Sequence, residues 1–588
     1  MKVNNVFKFS GLVAAVMFAA GTQAADPDST NTVPAFGSSD ASYAGGATIN
    51  GDASFISTVP AGQTVDLVGV VNPASADVGE TGDILAIVQV GSSLFQATPS
   101  GLQSLSISDF AALNIIPLSS GTLAASTEVR ITDLAAETGL DLTGKNIKLA
   151  VAYATGGQIQ SYSKPIRVSV ADAPSNDVCP DGEAPSAAVV LGGNQICTLN
   201  GTYEEDLHLT DNFDYVISGA VRIGNDNAAD VSITIDPGVT TYGQSGNDFL
   251  WIDRGAKIYA NGTASDPITM TSATDLDATA TTRGEWGGLV INGNAVINGC
   301  STAPCESAGE GNSGMYGGTD DSDSSGSLTY LRVKYAGFLI NDLDELNGIA
   351  FQGTGSGTNV DFVQVHNNQD DGVEFYGGST SAKHLYLTGN RDDSLDWTQG
   401  WRGRVQHVVV VQGSDTGDQG FEMDNNGDAP DSTPRAQPRI ANGTLVGNAN
   451  TDIGLLIREG TGVNFHNFVI TGFGDGCIDI DQTETFTAAG TPDALSGVMT
   501  MDYSVVDCDT NFIEEDGDPF TVQAWFEAGS GNVELDTGMT DYINSDAVNA
   551  LMAVDPDTVD SWFDSTDYRG AVESSANDWT EGWTFRPL

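Results

Sequence analysis

Between residues 288 and 480 the chain repeats one short motif: a small residue, then apolar, polar or small, apolar. Aligned on positions 288, 348, 372, 394, 420, 454 and 476, the segments read WGGLVI, LNGIAF, DGVEF, DSLDW, QGFEM, IGLLI and DGCID. A second apolar run recurs in the intervals: YLRV (330–333), FVQV (362–365), HLYLTGN (384–390), HVVVVQG (407–413), GTLVGN (443–448) and FVITGF (468–473). The tightest spacings are roughly in the low twenties, with insertions in the longer ones. Short strands with Gly or Asn at the corners at such a period predict a parallel β-helix, in which no coil buries its inner face alone and stacked coils share one core. The L-x-x-L-x-L pattern of a leucine-rich repeat is absent.

The N-terminal third is patterned differently. QTVDLVGVV (63–71), DILAIVQVG (83–91), STEVRITDL (126–134) and NIKLAVAYA (146–154) are short strands separated by turn residues, as in a β-sandwich. The predicted fold is all-β, a β-sandwich-like domain over 51–172 followed by a right-handed parallel β-helix over 215–588 that includes a C-terminal cap. Residues 173–214 are expected to be a linker and N-terminal cap, and the Ser-, Thr-, Gly- and Ala-rich 25–50 a flexible leader. Residues 1–24, with Lys2 and Lys8 ahead of a short apolar run and small residues at 22–24, have the layout of a secretory signal. That run is too short to span a bilayer, and no later stretch qualifies, so no membrane insertion is expected.

Export changes what the six cysteines imply. In an oxidising compartment they suggest three disulfides, and pairing in sequence order gives Cys179–Cys197, Cys300–Cys305 and Cys477–Cys508, although six cysteines allow fifteen connectivities. The formal net charge is −57, which repels nucleic acid and anionic surfaces unless cations intervene. A solvated acidic surface accounts for most of that charge.

Some of the acids are not scattered. Successive residues of a strand face opposite ways, so Val373, Leu395, Phe421 and Leu455 form one inward column and Phe375, Trp397, Met423 and Ile457 another. Between them, outward, fall Ala350, Glu374, Asp396, Glu422 and Leu456. The preceding corner stacks Asp370, Asp392 and Asp418, with Asp371 and Asp393 beside them. Like charges one rung apart, about 4.8 Å, repel by about 3–4 kcal/mol at an effective dielectric of 20. Splaying into water relieves that cost, and so does calcium, whose six to eight oxygen ligands such a corner can supply. Both explanations stand on the sequence alone. A separate fragment, Asp321-x-Asp323-x-Ser325-Gly326, has the early spacing of a calcium loop, but Arg332 stands where the closing Glu belongs.

The segments SITIDPGVTTYG, RGAKIYANGTASDPITMTSAT, GEWGGLVINGNAVING, DDGVEFYGG and DDSLDWTQGWRG, with DWTEGW at 578–583, resemble exported bacterial right-handed β-helix proteins of the pectate-lyase-like superfamily. The resemblance covers about 215–475 and implies architecture rather than a settled activity. Lyases of that superfamily use an arginine or lysine base beside carboxylate-bound calcium, which would cast Arg391, Arg402 or Arg404 as the base. Arg391 equally suits an ion pair with Asp370 or Asp418. Hydrolases of the polygalacturonase type pair aspartates, as Asp371 and Asp393 would, but the GHG and RIK motifs that accompany them are missing here.

His384, His407 and His466 each open the same repeated strand, and with His366 they read as structural histidines rather than a transition-metal site. Tyr376 and Trp401 lie in Gly-rich, polar surroundings suited to stacking on sugars, whereas Trp579 and Trp583 suit an end cap. The resulting expectation is a secreted, outer-surface or periplasmic acidic protein. It binds polysaccharide or a cell-surface glycan without catalysis, and calcium sits at its corners. A calcium-dependent polysaccharide lyase, or less readily a glycoside hydrolase, is the alternative.

Overall fold

The computed structural model describes residues 7–8, 32–34, 41–49, 58–59, 64–91, 93–105, 114–140, 142, 145–163, 166–170, 178–180 and 185–189, and residues 194–586 apart from 229, 277–280, 301, 303, 342–343 and 540. The secretory signal expected at 1–24 lies outside the described residues except for Phe7 and Lys8. The chain divides into two units, one of Met1–Val178 with Pro185–Ile196, the other of Cys179–Ala184 with Cys197–Leu588.

In the first unit the alternating runs pair antiparallel into two sheets. Asn146–Thr155 lies between Thr81–Val90 and Gln158–Ser163, while Val65–Asn72 lies between Ser42–Ile49 and Thr127–Ile131. Leu67 and Val71 of one sheet share a core with Leu149 and Val151 of the other. Gly69 sits where an added Cβ would come within 2.8 Å of Val151, so the close approach of the sheets requires glycine. The leader expected at 25–50 is thus corrected at its end: 42–49 is a strand, held by full pairing with Val65–Asn72.

The second unit is a right-handed parallel β-helix. One face stacks Phe249–Ile252, Gly288–Asn292, Ile349–Gln352, Val373–Tyr376, Leu395–Thr398, Phe421–Met423, Ile453–Ile457 and Gly476–Ile480. The other two faces come from long strands such as Asn359–His366 and Ser381–Thr388, each bent once. At every bend one residue takes a positive φ: Tyr330, Phe362, His384, His407, Asn442, Asn467 and Tyr503, with φ between 48° and 60°. The parallel register skips these positions, so they stack at a shared corner. Tyr330 and Phe362 are 4.5 Å apart, Phe362 and His384 4.1 Å, His384 and His407 4.8 Å, all with near-parallel rings. Stacking and the asparagines' tolerance of the left-handed region offset the backbone strain. His466 stands one position earlier, opposite Ala441 and Asp502, which corrects its assignment to the histidine column.

Coiling starts before 215, since Leu207–Leu209 already pairs parallel with Ser232–Ile235. The far end is closed by helix Val522–Ala528, which buries Val522, Trp525 and Phe526 against the last coils. Trp579 and Trp583 therefore do not cap the end. Instead, residues 535–586 return along the outside of the coils as a strap. Asn442 Nδ2 donates to the carbonyls of Tyr568 and Gly570, Gln406 Nε2 to Asp564, and Gln364 Nε2 to Phe585. Trp579 meets Phe362 and His384 edge-on, and Trp583 meets Tyr330 and Phe362. Three disulfides, Cys179–Cys197, Cys300–Cys305 and Cys477–Cys508, brace the chain. Among the described residues no helix is long and apolar enough to cross a membrane.

Candidate metal centre

The strand register places Ala350, Glu374, Asp396, Glu422, Leu456 and Asp479 in one column on the outer side of the first face. Asp479 is missed by aligning 454 with 476, because Gly454 stands opposite Cys477 and the coil is one residue longer than the alignment allows. Of the two explanations open on the sequence, splaying into water or a bound cation, the first does not hold here: Asp370, Asp371, Glu374, Asp393 and Asp396 are 5–9% exposed. The insertion 293–325 covers the neighbouring part of this face, beside Glu374. Its hairpin of Ser307–Ala308 and Met315–Tyr316 lays Ile297, Cys305 and Tyr316 against Leu346, Ala350 and Tyr376.

Each acid has a definite setting. Asp371 Oδ1 accepts from the backbone N–H of Asp393 at 3.1 Å, and Asp393 Oδ1 from that of Gln419 at 2.8 Å. The corner aspartates thus ladder the turns. Asn347 Nδ2 donates to Glu374 Oε2 at 2.7 Å, and the Tyr376 hydroxyl lies against both Glu374 and Glu310. Three groups of carboxylates each bring one oxygen apiece within 4.8 Å of one another: Glu345, Asp370 and Asp392; Asp371, Asp392 and Asp393; Asp371, Glu374 and Asp396.

No ion pair offsets the middle of this cluster. Among the described residues, no arginine or lysine forms an ion pair with Asp370, Asp371, Glu374, Asp392, Asp393 or Asp396; Arg458, at the next coils, pairs with Glu422 and Asp424. Burial is the largest cause driving each of these groups up, and neighbouring carboxylates add to it, while a hydrogen bond with Asp418 and the charge of Arg391 oppose the rise of Asp392. Asp370 is pushed to about 9, and Asp371, Glu374, Asp393 and Asp396 rise well above the carboxylate range. Burial lifts Glu422 to about 7 against the opposing pull of Arg458. Such a cluster must hold protons or a cation.

The donor set fits a hard cation. All ligand atoms are oxygens, with no cysteine or histidine among them, which suits calcium or magnesium rather than zinc. Calcium–oxygen bonds of about 2.3–2.6 Å put the ligands of one ion within about 5 Å of each other, the spacing of these groups. Two buried oxygens, Asp396 Oδ1 and Asn347 Oδ1, have no hydrogen-bond partner. Clusters of buried acids here can therefore hold a metal ion.

The remaining candidates separate from this centre. Arg402 makes a two-oxygen contact with Asp321 at 2.9 Å, and Arg404 pairs with Asp560 of the strap. Arg391 is exposed, and among the described residues it forms no ion pair with Asp370 or Asp418. Asp323 Oδ2 accepts from the Asn294 N–H and Asp321 Oδ1 from the Val296 N–H, so these carboxylates brace the insertion, while the Ser325 hydroxyl is buried without a hydrogen-bond partner. Trp401 is no sugar platform. It is fully buried, stacked on Phe375 at 4.1 Å, with its indole N–H donating to the Thr380 carbonyl. Tyr376, 8% exposed, lies beneath the insertion and is likewise withdrawn from solvent. His366 and His407 are buried and pushed down to about 3, as expected of structural imidazoles.

Comparison with known proteins adds the following. No curated protein matches the chain. Among solved structures, the catalytic domain of a GH87 alpha-1,3-glucanase in complex with tetrasaccharides is 10% identical, with a TM-score of 0.26, over 84% of this chain and 97% of that one. The catalytic unit of a thermostable GH87 alpha-1,3-glucanase from Streptomyces thermodiastaticus strain HF3-3 is 12% identical, with a TM-score of 0.24, over 84% of this chain and 95% of that one. Neither similarity bears on activity. Residues 201–584 match the family described as pectate-lyase like beta helix domain, and the chain belongs to that family.

Proposed function

We propose that this is an exported, non-catalytic β-helix that binds polysaccharide at a cell surface or in the surrounding medium, with calcium in its acidic corners. The observation that carries the calcium reading is the buried cluster of Asp371, Glu374, Asp393 and Asp396, which no ion pair offsets among the described residues. Three disulfides favour an oxidising compartment. A long stack of coils offers an extended, repeating surface, the shape that suits an extended polymer. A calcium-dependent lyase is the second reading: Arg402 and Arg404 are engaged elsewhere, which leaves the exposed Arg391 as its candidate base.

Thermal unfolding of the full chain in millimolar calcium and in chelator tests the calcium half. A ligand at 100 times its dissociation constant adds about 2.7 kcal/mol, so the midpoint should rise measurably in calcium. Screening the calcium-loaded protein on immobilised plant, algal and bacterial polysaccharides tests the other half. Saturable binding with no new reducing ends and no unsaturated uronate is the expected outcome. Unsaturated product would replace this reading with the lyase, and an absence of binding to any polysaccharide would remove the partner class.

A further inference from the structure

Basic side chains are scarce in this chain, 22 against 79 acids, yet three of them gather where the strap crosses the coils. Arg404 and Arg439 open strands of adjacent coils and stand opposite each other in the register. Arg404 Nε and Arg439 Nη1 both donate to one oxygen, Asp560 Oδ2, each at 2.7 Å. Lys383, on the coil before, pairs with Asp564 at 2.8 Å and sets its ammonium 4.9 Å from the ring centre of the half-buried Trp562. Three cations thus share two carboxylates. Burial pulls the Asp560 carboxyl up, but hydrogen bonds from Arg404, the Trp562 N–H and Arg439 outweigh it and hold it below its ordinary range.

The loop that carries these partners is fixed to the coil. Gln406 Nε2 donates to the Asp564 carbonyl at 2.9 Å, its Oε1 accepts from the Asp564 N–H at 2.7 Å, and the Trp562 N–H donates to Asp560 Oδ1 at 3.1 Å. Tying the strap down needs one arginine on Asp560. The second brings a like charge to the same carboxylate, a cost that anchoring alone does not call for. It also adds outward donors. Among the described residues neither guanidinium makes another hydrogen bond, and the two side chains are 34% and 49% exposed. Each guanidinium has five N–H groups in a planar fork that matches a carboxylate or sulfate, so most of both forks stays on offer beside an indole face.

We propose that Arg404, Arg439, Lys383 and Trp562 form a binding site for an anionic sugar of an acidic polysaccharide, the guanidiniums taking its carboxylate or sulfate and the indole stacking on its ring. This rests on the reading of the protein as a polysaccharide binder, and it names the polymer's class and its place. At about 0.15 M salt, charges more than about 8 Å away are largely screened, so the remote acids do not cancel the local positive charge.

Titration calorimetry on the full chain tests it, in about 0.15 M salt with chelator present so that no calcium bridges polymer to the acids. Polygalacturonate, dextran sulfate and neutral dextran are the probes. Binding of either anionic polymer, with dextran bound more weakly, is the expected result, and the preferred anion tells carboxylate from sulfate. Arg439→Gln and Trp562→Ala should each weaken that binding by about tenfold, whereas Lys257→Gln, which removes a charge from Asp230 elsewhere, should not. Arg404 and Gln406 still hold the loop in Arg439→Gln, so its thermal midpoint and its resistance to proteolysis across 555–570 should match wild type. Binding lost together with an opened strap would make Arg439 an anchor only and overturn the site. Undiminished binding in both variants, or binding of dextran alone, would overturn it and leave the polysaccharide reading standing. If neither these polymers nor the wider polysaccharide panel binds, that reading fails and the site with it.

Discussion

Replacing Asp396 by asparagine should change the protein's stability in opposite directions with and without calcium. Asp396 lies between Glu374 and Glu422 in adjacent strands. At about 4.8 Å and an effective dielectric of 20, each ionised neighbour costs about 3.5 kcal/mol. In chelator the buried acids relieve part of this by taking up protons, so asparagine, equal in shape and uncharged, should gain about 1–3 kcal/mol. In calcium the same change removes a ligand; a ten- to hundredfold loss of affinity corresponds to about 1.4–2.7 kcal/mol of lost stabilisation. With about 2.1 cal/mol/K of unfolding entropy per residue, a unit of about 400 residues has about 0.8 kcal/mol/K, so 2 kcal/mol moves the midpoint by about 2–3 °C. Differential scanning calorimetry at pH 7.5 should show Asp396→Asn melting above wild type in chelator and below it in calcium. A shift of the same sign and size in both buffers would refute the reasoning.

Other consequences are independent of that inversion. Phe375 is buried between Phe351 and Trp401, so Phe375→Ala should cost about 3–5 kcal/mol in calcium and chelator alike, read from the same scans. Asn442 combines a φ of 56° with three hydrogen bonds to the strap, two given by Nδ2 and one accepted by Oδ1 from the Thr566 hydroxyl. Asn442→Ala should lose about 2–4 kcal/mol and open 535–586 to limited proteolysis, while Asn442→Gly should keep the backbone and still loosen the strap. The raised carboxylates fix the pH trend of the calcium-free protein. Folded groups bind protons that unfolded ones have released, so their stabilisation is full below about pH 4 and is lost as pH rises through about 7 for Glu422 and Asp479 and about 9 for Asp370. Urea midpoints in chelator should therefore fall from pH 5 to pH 9, and calcium should flatten or reverse that slope.

The columns that build the coils were legible because they obey a period. Val373, Leu395, Phe421 and Leu455 stack in the register that the motif alignment predicts. Asp479 was lost to one extra residue, since a period-two pattern exchanges its faces on any slip of one. Burial of the acids was not legible, because a period fixes which way a side chain faces and not what packs over it; the insertion 293–325, laid against Leu346, Ala350 and Tyr376, has no period of its own. The strap escaped for the same reason: DWTEGWTF is aromatic enough for an end cap or for a contact along the side, and only the tertiary fold sets Trp579 and Trp583 on the Tyr330–Phe362–His384 corner. The ring at Trp401 was misjudged from its glycine neighbours, which serve a tight turn beside a fully buried side chain.

The central claim is that a divalent cation occupies the buried acids, and calcium-dependent anomalous scattering tests it most directly. Crystals grown in calcium, with data collected at a long wavelength, should give an anomalous peak among Asp371, Glu374 and Asp396 with carboxylate oxygens at about 2.3–2.6 Å. Crystals from chelator should lack that peak. Short carboxyl–carboxylate hydrogen bonds between Glu374 and Asp396 in both crystals, with no peak in either, would mean that the column is held by protons and would contradict the account.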